Sequence, residues 1–211
     1  MLLRLLLVAV VLPGISGCRQ TVPNDPAKMS FFVTSVQSGD GGNIGGLAGA
    51  DAHCQRLATA AGSTRREWRA YLSAAPEDGR LAVNARDRIG AGPWSNVKGV
   101  QIAASVADLH GPNNAMGRTT ALFETAETPR FFPHDIMTGS NPDGTLASGD
   151  ATCRNWTSNQ GQTMLGHSDR QGSCCGDRAQ SWNSAHPSNG CSLTDLQATG
   201  GGGLFYCFAA K

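Results

Sequence analysis

Residues 203–209, GLFYCFA, decide the fold, because aromatic and apolar side chains follow one another there without a break. Such a run is typical of a buried β-strand, and it places Cys207 in the interior. Residues 30–37, SFFVTSVQ, are rich in aromatic and β-branched residues and predict an opening strand. We expect these first and last strands to lie close together in one domain.

A helix is predicted shortly after the opening strand. Residues 38–49, SGDGGNIGGLAG, indicate a glycine-rich loop that leads into the helix, with Leu47 as a hydrophobic staple. Asp51 is the expected N-cap, AHCQRLATAA forms the body, and Gly62 ends it. One helix face carries apolar residues at helical spacing, namely Cys54, Leu57, Ala58 and Ala61.

The middle of the chain is rich in turns, and further strands are predicted at residues 68–74, at 100–104 and near 120–123. The 27 glycines among 211 residues indicate many turns and long loops. Together these signals predict a small α+β domain over residues 30–211.

The charge balance excludes some classes of protein. The chain has 17 Lys and Arg against 16 Asp and Glu, so it lacks the basic excess of a general nucleic-acid-binding protein. Only 16% of residues are charged, which argues against an acidic disordered tail or a charged coiled coil.

The N-terminus has the pattern of an export signal. Arg4 precedes the apolar run LLLVAVVL at residues 5–12, and Pro-Gly breaks it. The following ISGC at residues 15–18 resembles a bacterial lipobox, which predicts a signal peptide over residues 1–17 and acylation of Cys18. The alternative is an ordinary secretory cleavage site beside an incidental cysteine. Residues 18–29 are then a lipidated tether, and Arg19 after the acylated cysteine favours the bacterial outer membrane.

Six cysteines remain besides Cys18, namely Cys54, Cys153, Cys174, Cys175, Cys191 and Cys207. An even number in an exported chain predicts disulfides, although spacing alone does not choose among the pairings. The competing zinc interpretation lacks the closely spaced Cys pairs that such sites use.

Several motifs together resemble the endostatin family: NIGGLAGADAHCQRLA, WRAYLSA, HDIMTGSNPDGTLASGDATCRNWTS, SWNSAHPSNGCS and LFYCFAAK. The resemblance covers roughly residues 30–211. It is closest to the endostatin-like domains of bacterial lipoproteins, such as those of Leptospira, and more distant from the C-terminal domains of collagens XV and XVIII. It implies a C-type-lectin-like fold with small, twisted antiparallel sheets and one or two helices.

The resemblance also implies a pattern of disulfides. Carried over, it pairs Cys54 with Cys207 and Cys153 with Cys191. Cys174 and Cys175 match no common position of the family. They are left to form a vicinal disulfide, which we slightly favour, to bridge to another chain, or to re-route the inner pairing.

No catalytic constellation is visible in the sequence. The five histidines are scattered, there is no G-x-S-x-G elbow, and we predict no enzyme and no cofactor. The weaker alternative is a redox or hydrolytic enzyme, in which Cys174 or Cys175 acts with His167 or His186.

No metal site is predicted either. Trp182-Asn183-Ser184 lacks the final acid of a sugar-binding calcium triplet, and Asn141-Pro142-Asp143-Gly144 is explained by a turn. Collagen endostatins hold zinc through histidines near the start of the domain, but residues 19–50 contain none. Trp156 and Trp182 are expected in the core rather than on a ligand platform.

An arginine-rich stretch is the candidate ligand surface, and it comprises Arg65, Arg66, Arg69, Arg80, Arg86 and Arg88. Residues 19–100 carry a net charge of +3, and residues 101–211 carry −3. Endostatin-type domains bind heparin through arginines, which implies a sulfated-glycan ligand. A solvated face with internal salt bridges is the alternative.

These observations predict a non-catalytic, lipid-anchored envelope protein that recognises a protein or a glycan. Leptospiral relatives bind matrix proteins, so an adhesin role is implied if the organism meets a host. The alternative is a structural envelope protein that packs against the cell wall or a membrane partner.

Overall fold

The computed structural model describes residues 22–129, 133–173 and 176–210, and it shows an α+β domain. Within these ranges the strands are β1 Phe31–Val33, β2 Trp68–Ala70, β3 Trp94–Ser95, β4 Gln101–Ala103, β5 Asp135–Met137, β6 Met164–His167, β7 His186–Pro187 and β8 Gly201–Ala209. The α-helices are α1 Gly46–Ala60, α2 Val106–Leu109 and α4 Leu193–Ala198, and α3 Cys153–Trp156 is a single left-handed turn whose four residues have positive φ. Short 3₁₀ turns span Ala85–Asp87 and Gly176–Gln180.

The main sheet has the strand order β1-β8-β5-β6-β7. Strand β8 pairs with three of its strands, because β2 is also paired to it. Its Cys207 lies opposite Phe32 of β1 and Ala70 of β2, both antiparallel. Its first residue, Gly201, lies opposite Asp135 of the parallel strand β5. Strands β3 and β4 form a separate two-stranded ribbon.

The predicted terminal strands are confirmed, with different lengths. The closing strand begins two residues earlier than predicted, and the opening strand ends at Val33 instead of residue 37. The strand ends there because Ser35 leaves the ladder of the sheet. The backbone N–H and the hydroxyl of Ser35 both donate to the carboxylate of Glu124.

Helix α1 is confirmed, but Asp51 is not its N-cap. The helix begins at Gly46, within the stretch predicted as a loop, after Gly45 at a positive φ of 79°. A glycine there adopts the left-handed conformation without steric cost. Asp51 lies inside the helix, and its carboxylate accepts hydrogen bonds from the Ala70 N–H and from Arg88.

The other predicted strands differ in outcome. The strand at 68–74 is only Trp68–Ala70, and the strand at 100–104 is confirmed as Gln101–Ala103. The prediction near residues 120–123 is wrong, because Phe123 makes only an isolated bridge to Val33.

Both disulfides implied by the resemblance are present, Cys54–Cys207 and Cys153–Cys191. Trp156 and Trp182 are buried, as predicted for core residues. The predicted signal peptide, Cys18, Cys174 and Cys175 lie outside the described residues. In the described part of the chain, no helix has the length and apolar character needed to cross a bilayer.

Candidate metal centre

Asp135 places a carboxylate in the interior of the main sheet. Asp135 is the first residue of strand β5, which lies between β8 and β6. The Asp135 side chain has no exposed surface. Neither of its oxygens has a hydrogen-bond partner among the described residues. Because an isolated buried carboxylate is costly, such a group needs cationic or metal partners.

Three imidazoles direct their Nε2 atoms at this carboxylate. The Nε2 atoms of His134 and His167 lie 3.2 and 3.3 Å from Asp135 Oδ1. The Nε2 atom of His186 lies 3.5 Å from Oδ2. We call these four residues the histidine–aspartate cluster.

Sheet pairing brings the cluster together. His167 ends β6 directly opposite Asp135, and His186 begins β7 opposite Leu165. His186 is therefore diagonal to His167 on the same face of the sheet, because side chains alternate along a strand. His134 immediately precedes β5, and its ring stacks on that of His167 with centroids 4.7 Å apart.

The Nδ1 atom of each imidazole, on the side away from Asp135, lies within hydrogen-bonding distance of an oxygen atom. His167 Nδ1 lies 2.7 Å from the carbonyl oxygen of Ala179, and His186 Nδ1 lies 2.9 Å from that of Pro187. His134 Nδ1 lies 3.0 Å from Asp169 Oδ1. With a proton on Nδ1 facing each of these acceptors, the neutral form of each ring would offer its Nε2 atom as a metal ligand. Metal-binding histidines are oriented in the same way.

The spacing fits a small tetrahedral cation. Metal–ligand bonds of about 2.0–2.1 Å imply ligand–ligand edges of about 3.3 Å in a tetrahedron. The Nε2 atoms of His134 and His167, 3.2 and 3.3 Å from Asp135 Oδ1, match that edge, and the ligand atoms of these three residues all lie within 4.8 Å of one another. His186 faces the other carboxylate oxygen and lies outside this group. Imidazole donors with one carboxylate suit Zn²⁺, and they suit Ca²⁺ poorly because it requires six to eight oxygens.

The electrostatics keep the carboxylate available as a ligand. Burial alone would raise the pKa of the Asp135 carboxyl, but contacts with His167 and His186 outweigh burial and lower that pKa to about 2. Asp135 in turn raises the pKa of His186, against the opposing effect of burial. Asp135 is therefore ionised at neutral pH, as metal coordination requires.

Two glycines allow the cluster to pack. A Cβ atom at Gly166 would lie 1.9 Å from the Trp182 carbonyl oxygen, which no side chain can tolerate. A Cβ atom at Gly172 would lie 2.8 Å from Cε1 of His167. Gly166 therefore allows β6 to approach the backbone at Trp182, and Gly172 allows the chain to pack against the His167 ring.

The predicted arginine surface is largely engaged within the protein. Arg88, with an 11% exposed side chain, pairs with Asp51 at 2.8 Å, and Arg69 pairs with the same carboxylate. The remaining ion pairs of this set are Arg69–Glu67, Arg80–Glu77, Arg86–Asp87 and Arg86–Asp143. The two members without an ion pair among the described residues are Arg65, which donates to the Met29 carbonyl, and the exposed Arg66.

The two segments that were considered as a calcium site, residues 182–184 and 141–144, lie side by side and are joined by hydrogen bonds. The side-chain amide of Asn183 donates to the carbonyl oxygens of Asn141 and Pro142 and to the Tyr71 hydroxyl. Its side-chain oxygen accepts a hydrogen bond from Ser181. Asn183 therefore ties the Asn141–Gly144 turn to the core.

Sequence reasoning missed the histidine–aspartate cluster. It considered His167 and His186 only as bases for Cys174 or Cys175, and it sought zinc through cysteine pairs or N-terminal histidines. The available signal was Asp135, an acid next to a histidine at the start of the apolar run Ile136–Met137. With this geometry established, no protein-family model and no curated protein matches the chain.

Proposed function

We propose that this chain is a non-catalytic envelope protein whose recognition domain is held by a Zn²⁺ ion at the histidine–aspartate cluster. One observation carries the metal site: three imidazole Nε2 atoms converge on a buried carboxylate that has no hydrogen-bond partner among the described residues. Zinc bound by His134, Asp135 and His167 would give the buried carboxylate a cationic partner.

The donor set supports a structural ion rather than a catalytic one. Structural zinc sites have four protein ligands, whereas catalytic sites leave one position for water or substrate. Here the ligand atoms of His134, Asp135 and His167 lie within 4.8 Å of one another, and His186, 3.5 Å from Asp135 Oδ2, is the candidate fourth ligand. Asp135 and His167 are 0% and 2% exposed.

The wider proposal concerns location and ligand. We propose lipid anchoring at Cys18, placement at the bacterial outer membrane, membership of the endostatin family with a C-type-lectin-like fold, and recognition of a protein or sulfated glycan. The α+β architecture and the two bridges support the family and an oxidising compartment. Within the arginine set, Arg66 is the best placed for an external ligand, since it is exposed and outside the ion pairs described.

Zinc titration of the full chain, followed by calorimetry and by metal analysis after dialysis, tests the metal site. We expect one ion per chain. Asp135→Asn keeps the shape of the side chain but removes its charge, so it should abolish stoichiometric binding. Asp78→Asn, at an exposed turn position, is the matched control and should bind like the wild type.

Wild-type protein that retains no zinc, or an Asp135→Asn variant that retains as much as Asp78→Asn, would refute the site. Circular dichroism of each variant verifies folding. The recognition role is separate: crosslinking in cells that captures a constant cell-wall partner, without any soluble ligand, would instead support the structural envelope role.

A further inference from the structure

A cavity of about 400 Å³ lies beside the histidine–aspartate cluster. Much of its wall comes from the chain between His167 and His186, of which residues 168–173 and 176–185 are described; we call these residues the connecting segment. The lining residues used below are His110, Asn114, Pro142, Arg170, Arg178 and Trp182. The volume is in the range of small-molecule sites.

The charge of the cavity favours an anion. Arg170 and Arg178 both line it, and neither has a carboxylate partner among the described residues. Arg170 donates to the Gln180 carbonyl and the Asn114 side chain, and the Arg178 guanidinium donates to the sulfur of Met164. Asp177 is the single acid among the lining residues described, so the two guanidinium groups leave a positive excess.

The remaining polar wall contributes no competing charge. Burial lowers the pKa of His110, so its ring is neutral at physiological pH. Its Nε2 lies 2.7 Å from the Tyr71 hydroxyl, and its Nδ1 lies 2.8 Å from the Val106 carbonyl oxygen. Pro142 and Trp182 add apolar surface, which fits a ligand that has an organic body and an anionic group.

His167 connects the cluster to both sides of the cavity. Its carbonyl oxygen accepts from the Arg170 N–H at 3.0 Å, and its own N–H donates to the Ser181 carbonyl oxygen at 2.9 Å. Its Nδ1 contacts the Ala179 carbonyl oxygen. One metal ligand therefore fixes residues 170, 179 and 181, and Arg170 is held there at a positive φ of 56°. Strained residues of this kind cluster at functional sites.

We propose that this cavity binds a small organic anion, and that the metal ion holds its walls in the binding conformation. The second part rests on the proposed zinc site, because its ligand His167 contacts residues 170, 179 and 181 of the connecting segment. Zinc bound to His167 would fix these contacts against β5.

Calorimetric titration of the full chain with benzoate and with phenyl phosphate tests the ligand class, with benzamide as the neutral match to benzoate. We expect at least one anion to bind at millimolar concentration and benzamide to bind more weakly. Arg170→Gln and Arg178→Gln should each weaken anion binding about tenfold, since each removes a charge-assisted hydrogen bond. Arg118→Gln, an exposed arginine that does not line the cavity, is the control.

Equal affinity for benzoate and benzamide, no binding of either anion, or unchanged binding in both arginine variants would overturn the anion site. Hydrogen exchange of residues 176–185, with and without zinc, tests the coupling separately. We expect slower exchange and tighter anion binding with zinc. Stoichiometric zinc binding without either effect would refute the coupling and leave the proposed metal site standing. Failure of zinc to bind would refute the metal site, whereas arginine-dependent anion binding would survive it.

Discussion

Two regions of the domain connect distant parts of the chain, one through disulfides and one through the proposed metal site. In the disulfide region, Cys54 of α1 is bonded to Cys207 of β8, and Cys153 is bonded to Cys191. In the histidine–aspartate cluster, the strands β5, β6 and β7 meet through imidazoles and one carboxylate. The first kind of link depends on the redox state of the compartment, and the second would depend on metal supply. The comparison suggests two separate controls on one small domain, a redox-dependent link that the structure contains and a metal-dependent link that we propose.

The largest expected effect is in the disulfide region. Replacing Cys54 and Cys207 together by alanine removes a bridge across 153 residues, which should lower the free energy of unfolding by about 5 kcal/mol. Replacing Cys153 and Cys191, 38 residues apart, should cost about 4 kcal/mol, because the closed loop is shorter. Urea denaturation at equilibrium measures both. An inner bridge that costs more than the outer one would contradict the loop-closure account.

A smaller effect, on zinc affinity, is expected from Asp169, which contacts a histidine of the histidine–aspartate cluster. Asp169→Asn removes the charge that faces Nδ1 of His134 and keeps the metal donors His134, Asp135 and His167. Zinc affinity should fall about tenfold while the stoichiometry stays at one ion per chain. Competition with a chelating dye gives the affinity, and Asp78→Asn is again the control. An unchanged affinity would show that Asp169 does not orient His134 for metal binding.

The smallest effect concerns pH in the disulfide region. Burial lowers the pKa of His53, and nearby Arg56 lowers it further, although the contact with the Val36 carbonyl opposes this. A histidine whose pKa is lower in the folded state contributes stability above its unfolded pKa, near 6.5, and loses that contribution as the pH falls. The free energy of unfolding should therefore decrease from about pH 7.5 to about pH 5.

His53→Gln provides the test, because an amide can still donate to Val36 but does not titrate. Its stability should fall less over the same pH range in urea denaturation. A variant whose pH dependence equals that of the wild type would exclude His53 as the source.

Local sequence predicted the disulfide region better than the cluster. The aromatic run of β8 and the apolar stripe of α1 are continuous signals, and they place Cys54 and Cys207 inside the protein. The start of α1 was missed because glycine in a left-handed conformation at Gly45 precedes the helix, where the sequence suggested an Asp N-cap at Asp51. Here tertiary contacts of Asp51 with β2 outweigh its local preference.

The cluster has no comparable local signal. Its donors lie at the ends of three short strands, and only the pairing of Asp135 with His167 and of Leu165 with His186 brings them together. That register depends on the whole sheet. It also depends on a close approach of Gly166 to Trp182, which spacing along the chain does not reveal.

The pairing of β1 with β8 has a practical consequence. Because Phe31 lies opposite Phe208, the first and last strands begin and end at the same place. The domain could therefore be inserted into a surface loop of a carrier protein through two short linkers, with little separation of the carrier's own loop ends. The same geometry would allow a circular permutant whose new termini open at the exposed turn around Asp78 and Gly79.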